Sequence, residues 1–358
     1  MFESDCILNW TILGYNNHIM DIHTDISLKN YTTMKIGGNA RFMTEVRTPD
    51  EVATVYRNAK PKNIPVFILG GGSNVIARDE GYAGIIIRMR IPGFEIIADD
   101  INITTIKIGA GEIWDTVVKR TVDMNLSGIE AMSAIPGTAG ATPVQNVGAY
   151  GQEIADTLQS LEAYDNQTDA FVTLQNDDCG FTYRNSIFRG DAMGRYVITS
   201  ITIKLSKNSP QPPFYDALQT YLDEHSIKIY TVETIRNAVI EIRKNKLPDP
   251  EITPNTGSFF KNAVVEKWQV DEMLKKYPDA PVREMSDGMY KIPTGWLIEQ
   301  TGLQGKTIHG MRIHDKNALV LVNESATSYN DLAAARDEII SKVMDIFNIQ
   351  IQQEPLEI

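Results

Sequence analysis

The sequence predicts an α+β protein of two or three domains. Three observations carry this expectation. At 358 residues the chain is long for a single hydrophobic core. Its apolar runs, such as "YAGIIIRM" and "NALVLVN", have the length of strands, and none approaches the ~20 residues of a membrane span. Helical patterns interrupt these runs, and the texture of the runs changes along the chain.

From Lys29 the elements follow in order. "TTMKIGGNARFMTEV" sets a Gly-Gly pair between two short apolar runs, as in strand, turn and strand. "PDEVATVYRNAKPKN" reads as a helix, with Pro49 and Asp50 at its start and charge on one face. "IPVFILGGGSNVIARD" is a buried strand running into a glycine-rich turn, and a small α/β domain is expected to end near Asp79. Short β-rich runs follow: "GYAGIIIRM", "GFEII", "NITTIKIGAG", "DAFVTL" and "RYVITSITIKL". A helix, "IWDTVVKRTVDMNLSG", interrupts them, with Gly128 as its expected C-cap. This mixed α+β domain closes near "SKNSPQPPFYDAL", where polar residues and prolines cluster. The last region opens on the helix "TVETIRNAVIEIRKNK", which "LPDP" stops because proline cannot continue a helix. Strand signals in "GSFFKNAVV" and a helix in "VDEMLKKYP" come next, then "TGWLIEQTG" and "NALVLVN". A long amphipathic helix, "YNDLAAARDEIISKVMDIF", precedes the tail "NIQIQQEPLEI". The expected divisions are residues 1–85, 86–228, 229–345 and 346–358.

Bulk composition excludes several classes. At 42% hydrophobic and 22% charged residues, the chain reads as an ordinary soluble globular protein. A formal net charge of -12 argues against a basic surface for nucleic acid, while leaving room for a small basic pocket. Cys6 and Cys179 have no partner at short spacing, and the five histidines show no metal-ligand spacing, so neither a disulfide framework nor a metal is expected. The N-terminus carries Glu3 and Asp5 where a signal peptide needs positive charge, which points to a cytoplasmic protein. The stretch up to about Met20 reads as a loosely packed arm or an upstream start.

Five segments carry candidate chemistry. In Gly70–Asp79, three glycines let backbone N–H groups approach phosphate oxygens, with Ser73 and Asn74 adding side-chain hydrogen bonds; a tight turn explains the same residues equally well. The spacing fits neither the Rossmann glycine pattern nor a P-loop. Ser133–Gly151 holds small residues, two prolines, Gln145 and Asn146, and reads as a loop that wraps a flat or polar ligand rather than as a linker. In Cys179–Gly190, Arg184 beside Tyr183 is either a surface cation–π pair or an electrophile aimed at a carboxylate. Arg243, Lys246 and Lys261 form a basic cluster suited to a phosphorylated substrate, although on charge alone a solvated helix face accounts better for Arg243 and Lys244. Ser258, in "ITPNTGSFFKN", is a turn residue before a strand or a proton donor. Glutamates in a tail such as "QQEPLEI" are usually inert.

Together these segments resemble the UDP-N-acetylenolpyruvoylglucosamine reductase family. The resemblance rests on "NYTTMKIGGNARF", "ILGGGSNVIARD", "GIEAMSAIPGTAGATPVQNVGAYG", "FTYRNSIF", "TGSFFKN" and "GWLIEQTGLQGKTIHG", in family order from about Lys29 to the C-terminus. It implies an FAD-binding fold of the vanillyl-alcohol-oxidase (PCMH) type in two subdomains, with a C-terminal α+β substrate-binding domain and a tail that returns to the active site. It further implies noncovalent FAD, since no histidine or cysteine lies in the two candidate FAD loops. NADPH is the implied co-substrate and UDP-N-acetylglucosamine enolpyruvate the substrate, with a monomer and no nucleic-acid or membrane partner expected.

By the same resemblance, Gly70, Gly71, Gly72, Ser73 and Asn74 would hold the FAD pyrophosphate, and Ile36 and Gly37 would add backbone contacts. Ile135, Pro136, Gly137, Thr138, Gly140 and Ala141 would wrap the cofactor. Gln145, Asn146, Gly148, Ala149, Tyr150 and Gly151 would continue that wrapping. "PPFYDALQTYL" resembles the larger subtype, whose tyrosine-bearing loop covers the substrate diphosphate; Tyr215 matches that tyrosine. Tyr183, Lys246, Asn262 and Gln300 match substrate contacts. Arg184, Ser258 and a tail glutamate would be catalytic. The ungapped register from "FNI" assigns Glu354 to that role; a register on the Glu354–Pro355 pair would place Leu356 there, with Glu357 beside it.

Overall fold

The computed structural model describes residues 12, 13, 19–285 and 287–358. The expected N-terminal arm falls almost wholly outside them. The described residues form two compact units. One takes the chain up to residue 26, with 40–70 and 83–237; the other takes 27–39, 71–82 and 238–358.

Among the described residues, the first unit contains two larger sheets. A four-stranded sheet runs in the order Ile22–Ser27, Asn39–Val46, Tyr82–Met89, Val66–Leu69, with the last two strands parallel and Val66 opposite Ile85. The helix Pro49–Ala59 buries Val52, Ala53, Val55, Tyr56 and Ala59, which share a core with Val46, Ile85, Ile87 and Met89. Its start is chemically specified. Thr48 Oγ1 accepts the Glu51 N–H at 3.3 Å, the Glu51 carboxylate accepts the Thr48 N–H, and Pro49 occupies the first turn, where no N–H is needed.

The second sheet of this unit is antiparallel, in the order Ala170–Gln175, Leu158–Asp165, Tyr196–Ser206, Ile103–Gly109, Phe94–Asp99. The helix Trp114–Asp123 packs Trp114, Val117 and Val118 into one core with Ile106, Ile108, Leu161, Ile201 and Ile203. That helix ends before Gly128. Asn125 takes the left-handed conformation at φ +57°, and Leu126 N–H donates to Thr121 O at 2.9 Å. Asparagine tolerates this geometry, so the closing turn does not wait for glycine.

The second unit is built around the helix Tyr329–Phe347. Ser328 caps it by accepting the Asp331 N–H at 3.1 Å, while the Asp331 carboxylate accepts the Ser328 N–H. A four-stranded sheet runs Asn255–Ser258, Val320–Asn323, Met311–Ile313, Thr307–Ile308, and a three-stranded sheet runs Ala263–Val265, Tyr290–Ile292, Arg283–Glu284. The "TTMKI" half of the expected strand–turn–strand contributes to this unit without forming a strand. Thr33 N–H donates to Gly72 O at 3.1 Å and Lys35 sits at φ +60°, which breaks an extended run; only Asn39–Val46 becomes β. Met34, Ile36 and Ile76 are buried in the same core as Phe259, Phe260, Leu321 and Leu332.

Candidate active site

In the first unit, the Ser133–Gly151 segment is fastened along its length. Gly137 O accepts the Trp114 N–H at 3.1 Å, Ala139 N–H donates to Glu112 O at 2.8 Å, and Gly140 N–H donates to Ala110 O at 2.9 Å. A side chain at Gly140 would lie 2.5 Å from Ala110 Cβ, so only glycine fits. Gly70 belongs to the same neighbourhood, where a Cβ would meet Thr138 Oγ1 at 2.6 Å and Ala141 Cβ at 3.5 Å. The fully buried Asn146, at φ +48°, donates from Nδ2 to Thr182 O at 3.3 Å and accepts the Ala155 N–H at 3.1 Å. Gly148–Ala149 then pairs with Gln152–Glu153 across a two-residue turn, Tyr150–Gly151, in which both residues have positive φ. Such turns normally select Asn-Gly. The Tyr150 ring stands edge-on to the half-exposed Tyr215 ring, with centroids 6.1 Å apart.

Arg184 faces this segment. It sits at φ +53° in the two-residue turn between Thr182 and Asn185, whose backbones exchange hydrogen bonds at 3.2 and 3.1 Å. Its Nη2 donates to Gly148 O at 2.6 Å and Nη1 to Asn146 O at 3.4 Å, with the guanidinium 5.5 Å from the Tyr183 ring. Ser186 Oγ donates to Val144 O at 2.7 Å and Arg189 Nη1 to Gln145 Oε1 at 2.8 Å. The structure thus gathers Gln145, Asn146, Gly148, Tyr150, Tyr183, Arg184 and Tyr215.

One anchor of this segment escapes sequence reading. Arg236 donates from Nη1 to Asp115 Oδ1 at 2.7 Å and to Ser133 Oγ at 2.9 Å, while Asp115 also accepts the Ala134 N–H at 2.6 Å. In "TVETIRNAVIEIRKNK" Arg236 is one charge on a helix, and its partner lies 121 residues away. No local signal marks it.

In the second unit the glycine loop continues. Gly72, at φ +69°, would set a Cβ 1.9 Å from Tyr31 O; Gly71 is exposed, while Ser73 and Asn74 are half-buried. Ile36 is buried, and Gly37, at φ +108°, abuts Ala77, with no room for a Cβ. Ser258 ends the strand Asn255–Ser258, whose pairing with Val320–Asn323 shifts register between Asn255 and Ser258. Asn255 Oδ1 accepts the Gly257 N–H at 2.7 Å. A Cβ on Gly257 would point into open space, and the neighbouring Thr256 hydroxyl is buried without a partner. Phe259 and Phe260 are core residues, 0% and 1% exposed, and fix the backbone beyond Ser258 from inside.

The tail returns to this segment. Glu354 N–H donates to Phe259 O at 2.8 Å and Lys261 N–H to Gln352 O at 2.9 Å, which brings a buried Glu354 alongside the Ser258 strand. Glu357 is engaged elsewhere. Its carboxylate accepts Arg78 Nη2 at 2.7 Å, the Tyr329 hydroxyl at 2.7 Å and Arg336 Nη1 at 2.5 Å. Burial pushes its pKa up, but these partners outweigh burial and hold the carboxyl below its ordinary range. Asn262 Oδ1 accepts the Thr294 N–H at 3.2 Å, at the start of the helix Thr294–Gln300. Lys246 and Gln300 lie exposed at the ends of their helices, and among the described residues neither joins this hydrogen-bonded group.

The residues present fit a cofactor that carries a diphosphate. Positions 64–77 and 133–151 contain no charged residue in a chain with 46 acidic ones, so nothing in these loops repels phosphate. They offer backbone N–H groups, hydroxyls and amides, and Gly70 and Gly72 keep side chains out of the loop. Burial pushes the Cys179 thiol up to about 12, which leaves it a poor nucleophile. Among the described residues no three His, Cys, Asp or Glu side chains gather as a metal site requires, and no helix is long and apolar enough to cross a membrane.

Comparison with known proteins finds two family models. Residues 40–173 match an FAD binding domain, and residues 249–358 match the C-terminal domain of UDP-N-acetylenolpyruvoylglucosamine reductase. The Flavobacterium johnsoniae reductase of that name is 39% identical over 336 residues, covering 94% of this chain and 99% of the relative. The Neisseria gonorrhoeae reductase is 39% identical over 329 residues, covering 92% and 95%. A solved reductase from Thermus caldophilus superposes with a TM-score of 0.66 at 22% identity, covering 95% of this chain and 99% of the other, and shows the shared fold.

Proposed function

The chain belongs to the UDP-N-acetylenolpyruvoylglucosamine reductase family, and from that membership we propose which of its residues carry each part of the reaction. It is an FAD-dependent oxidoreductase that, with NADPH, reduces the enolpyruvyl ether of UDP-N-acetylglucosamine enolpyruvate to the lactyl ether of UDP-N-acetylmuramate, a step of peptidoglycan precursor synthesis. FAD, when bound, takes hydride from NADPH and supplies it to the outer carbon of the enolpyruvyl double bond. What remains for the protein is to hold the substrate carboxylate, stabilise the charge that develops on it and deliver one proton to the adjacent carbon.

Arg184 is assigned to the carboxylate. Its guanidinium is already oriented by the Gly148 and Asn146 carbonyls, so it meets developing negative charge without reorganising. Buried Glu354 is assigned to share the extra charge of the enolate, a role that requires its carboxyl to carry the proton. Ser258 donates the proton; a serine is acid enough because a carbanionic carbon is a strong base. The observation that carries these assignments is the pairing of the tail with Phe259–Lys261, which brings a buried carboxyl beside the serine segment.

Gly70–Asn74 with Ile36 and Gly37, and the 135–151 segment, are assigned to noncovalent FAD. Tyr183, Tyr215, Lys246, Asn262 and Gln300 are assigned to substrate. In chain order, 1–85 is assigned to an N-terminal arm and a first FAD-binding subdomain, 86–228 to a second, 229–345 to substrate, and 346–358 to the catalytic tail. We also propose a cytoplasmic monomer without nucleic-acid partners; the net charge of -12 supports the last point.

Anaerobic half-reactions test the assignment. Ser258→Ala should leave the NADPH half-reaction within about twofold of wild type and slow the enolpyruvyl half-reaction by about 100-fold or more. Equal loss in both halves would mean that Ser258 only supports the fold. An FAD mass retained on the denatured chain would refute noncovalent binding.

A further inference from the structure

The tail from Gln352 to Ile358 connects two segments assigned to different tasks. Gln352–Glu354 pairs with Phe259–Lys261, the stretch that follows Ser258. Leu356–Glu357 pairs in parallel with Val75–Ile76, which follows the glycine loop; Leu356 N–H donates to Asn74 O at 3.0 Å, Ile358 N–H to Ile76 O at 2.9 Å, and Arg78 N–H to Ile358 O at 2.8 Å. Glu354 is the last residue of the first attachment, and only Pro355 separates it from the second.

The side chains hold the same strap. Glu357 accepts hydrogen bonds from Arg78 beyond the glycine loop and from Tyr329 and Arg336 on the long helix. Arg336 Nη1 also donates to Gln353 Oε1 at 3.1 Å, and Gln353 Nε2 donates to Pro355 O at 2.8 Å. One guanidinium therefore grips the residues on both sides of Glu354 and Pro355. Successive side chains in extended chain point to opposite faces, so with Gln353 turned to Arg336 its neighbour Glu354 is turned away. Asp79 closes the arrangement by accepting the Tyr329 N–H at 2.7 Å, which ties the chain after the glycine loop to the start of the same helix.

We propose that Glu357 is a positioning residue for the reaction: its carboxylate, shared by Arg78, Tyr329 and Arg336, sets the register and direction in which the tail presents Glu354. The proposal rests on the reading of Glu354 as the acid that stabilises the enolate. With its carboxylate engaged by Arg78, Tyr329 and Arg336, Glu357 is assigned to position the tail and not to transfer a proton. Loss of its charge loosens the strap at the Leu356–Ile358 end, and the error passes through Pro355 to the Glu354 carboxyl.

The test uses full-length FAD-loaded protein with three variants, Glu357→Gln, Tyr329→Phe and Glu354→Gln. It reads both half-reactions and the hydrogen exchange of the tail amides. Glu357→Gln should speed exchange at Glu354, Leu356 and Ile358 and slow the enolpyruvyl half-reaction about 10-fold, with the NADPH half-reaction within about twofold of wild type. Tyr329→Phe, which removes the hydroxyl that donates to Glu357 but neither arginine, should move both readouts the same way by less. Glu354→Gln should slow the enolpyruvyl half-reaction with tail exchange unchanged. Faster exchange in Glu357→Gln with both half-reactions unaltered would overturn the proposal, as would a slow enolpyruvyl step with unaltered exchange, or equal loss in both halves. A wild-type enolpyruvyl step in Glu354→Gln would instead remove the reading of Glu354.

Discussion

Tyr150 shows what a single backbone conformation implies. Its φ of +48° is one that an L-residue with a large side chain adopts at a cost of about 1–2 kcal/mol, and the two-residue turn it shares with Gly151 would be cheaper with asparagine. The ring is what asparagine lacks, and it stands against Tyr215. A residue kept at such a cost points to use of the ring. Tyr150→Asn is therefore expected to unfold in urea at or slightly above the wild-type midpoint while binding FAD or substrate about 10-fold more weakly, as read by flavin fluorescence titration and by KM. A lowered midpoint with unchanged binding would make the ring a packing residue. Sequence singles out Tyr150 through the motif around it, but nothing in "VGAYG" displays the sign of its φ.

At the scale of elements, a strand pair carries its own pH signature. Asp165 ends the strand Leu158–Asp165, opposite Tyr196. Its side chain is 2% exposed and accepts Arg195 Nη2 at 2.7 Å and Nε at 3.1 Å. The Arg195 hydrogen bonds, opposed by burial and helped by the Gln167 N–H, hold its pKa at about 2 rather than the ordinary 3.8. A carboxyl with a depressed folded pKa stabilises fully above its unfolded value, and the contribution disappears as pH falls through about 2. Asp165→Asn should thus cost about 1–2 kcal/mol at neutral pH and flatten the fall in stability between about pH 4 and pH 2, measured by urea unfolding across that range. Elements of this kind are legible when their instructions are local. Thr48 with Glu51 caps one helix, Leu247–Pro248 follows another, and Tyr329–Phe347 coincides with its amphipathic run. They are illegible when the deciding partner is distant. Asn125 closes a helix that Gly128 was expected to close, Gly72 pulls Thr33 out of an extended run, and Arg236 finds Asp115 across 121 residues.

At the scale of the whole molecule, the C-terminal unit is discontinuous in sequence, and its stability depends on that. The family match begins at residue 249, yet the core that contains Phe259, Phe260, Leu321 and Leu332 also contains Met34, Ile36 and Ile76. Those three side chains are at most 1% exposed. Burying each contributes about 1.5–3 kcal/mol, roughly 5–9 kcal/mol together, which approaches the whole stability of an ordinary domain. The same segments supply Val75–Ile76 as the only strand paired with Leu356–Glu357 among the described residues, and Arg78 and Asp79 as partners of Glu357 and Tyr329. An isolated fragment of residues 249–358 should therefore lack a cooperative urea transition and a dispersed amide spectrum. The full-length protein carrying Ile36→Ala and Ile76→Ala should lose several kcal/mol, with hydrogen exchange rising first in the tail and around Ser258. A fragment that unfolds cooperatively, with a midpoint near that of the whole protein, would show that 249–358 stands alone and that the strap between Asn74 and Phe259 is not part of what stabilises it.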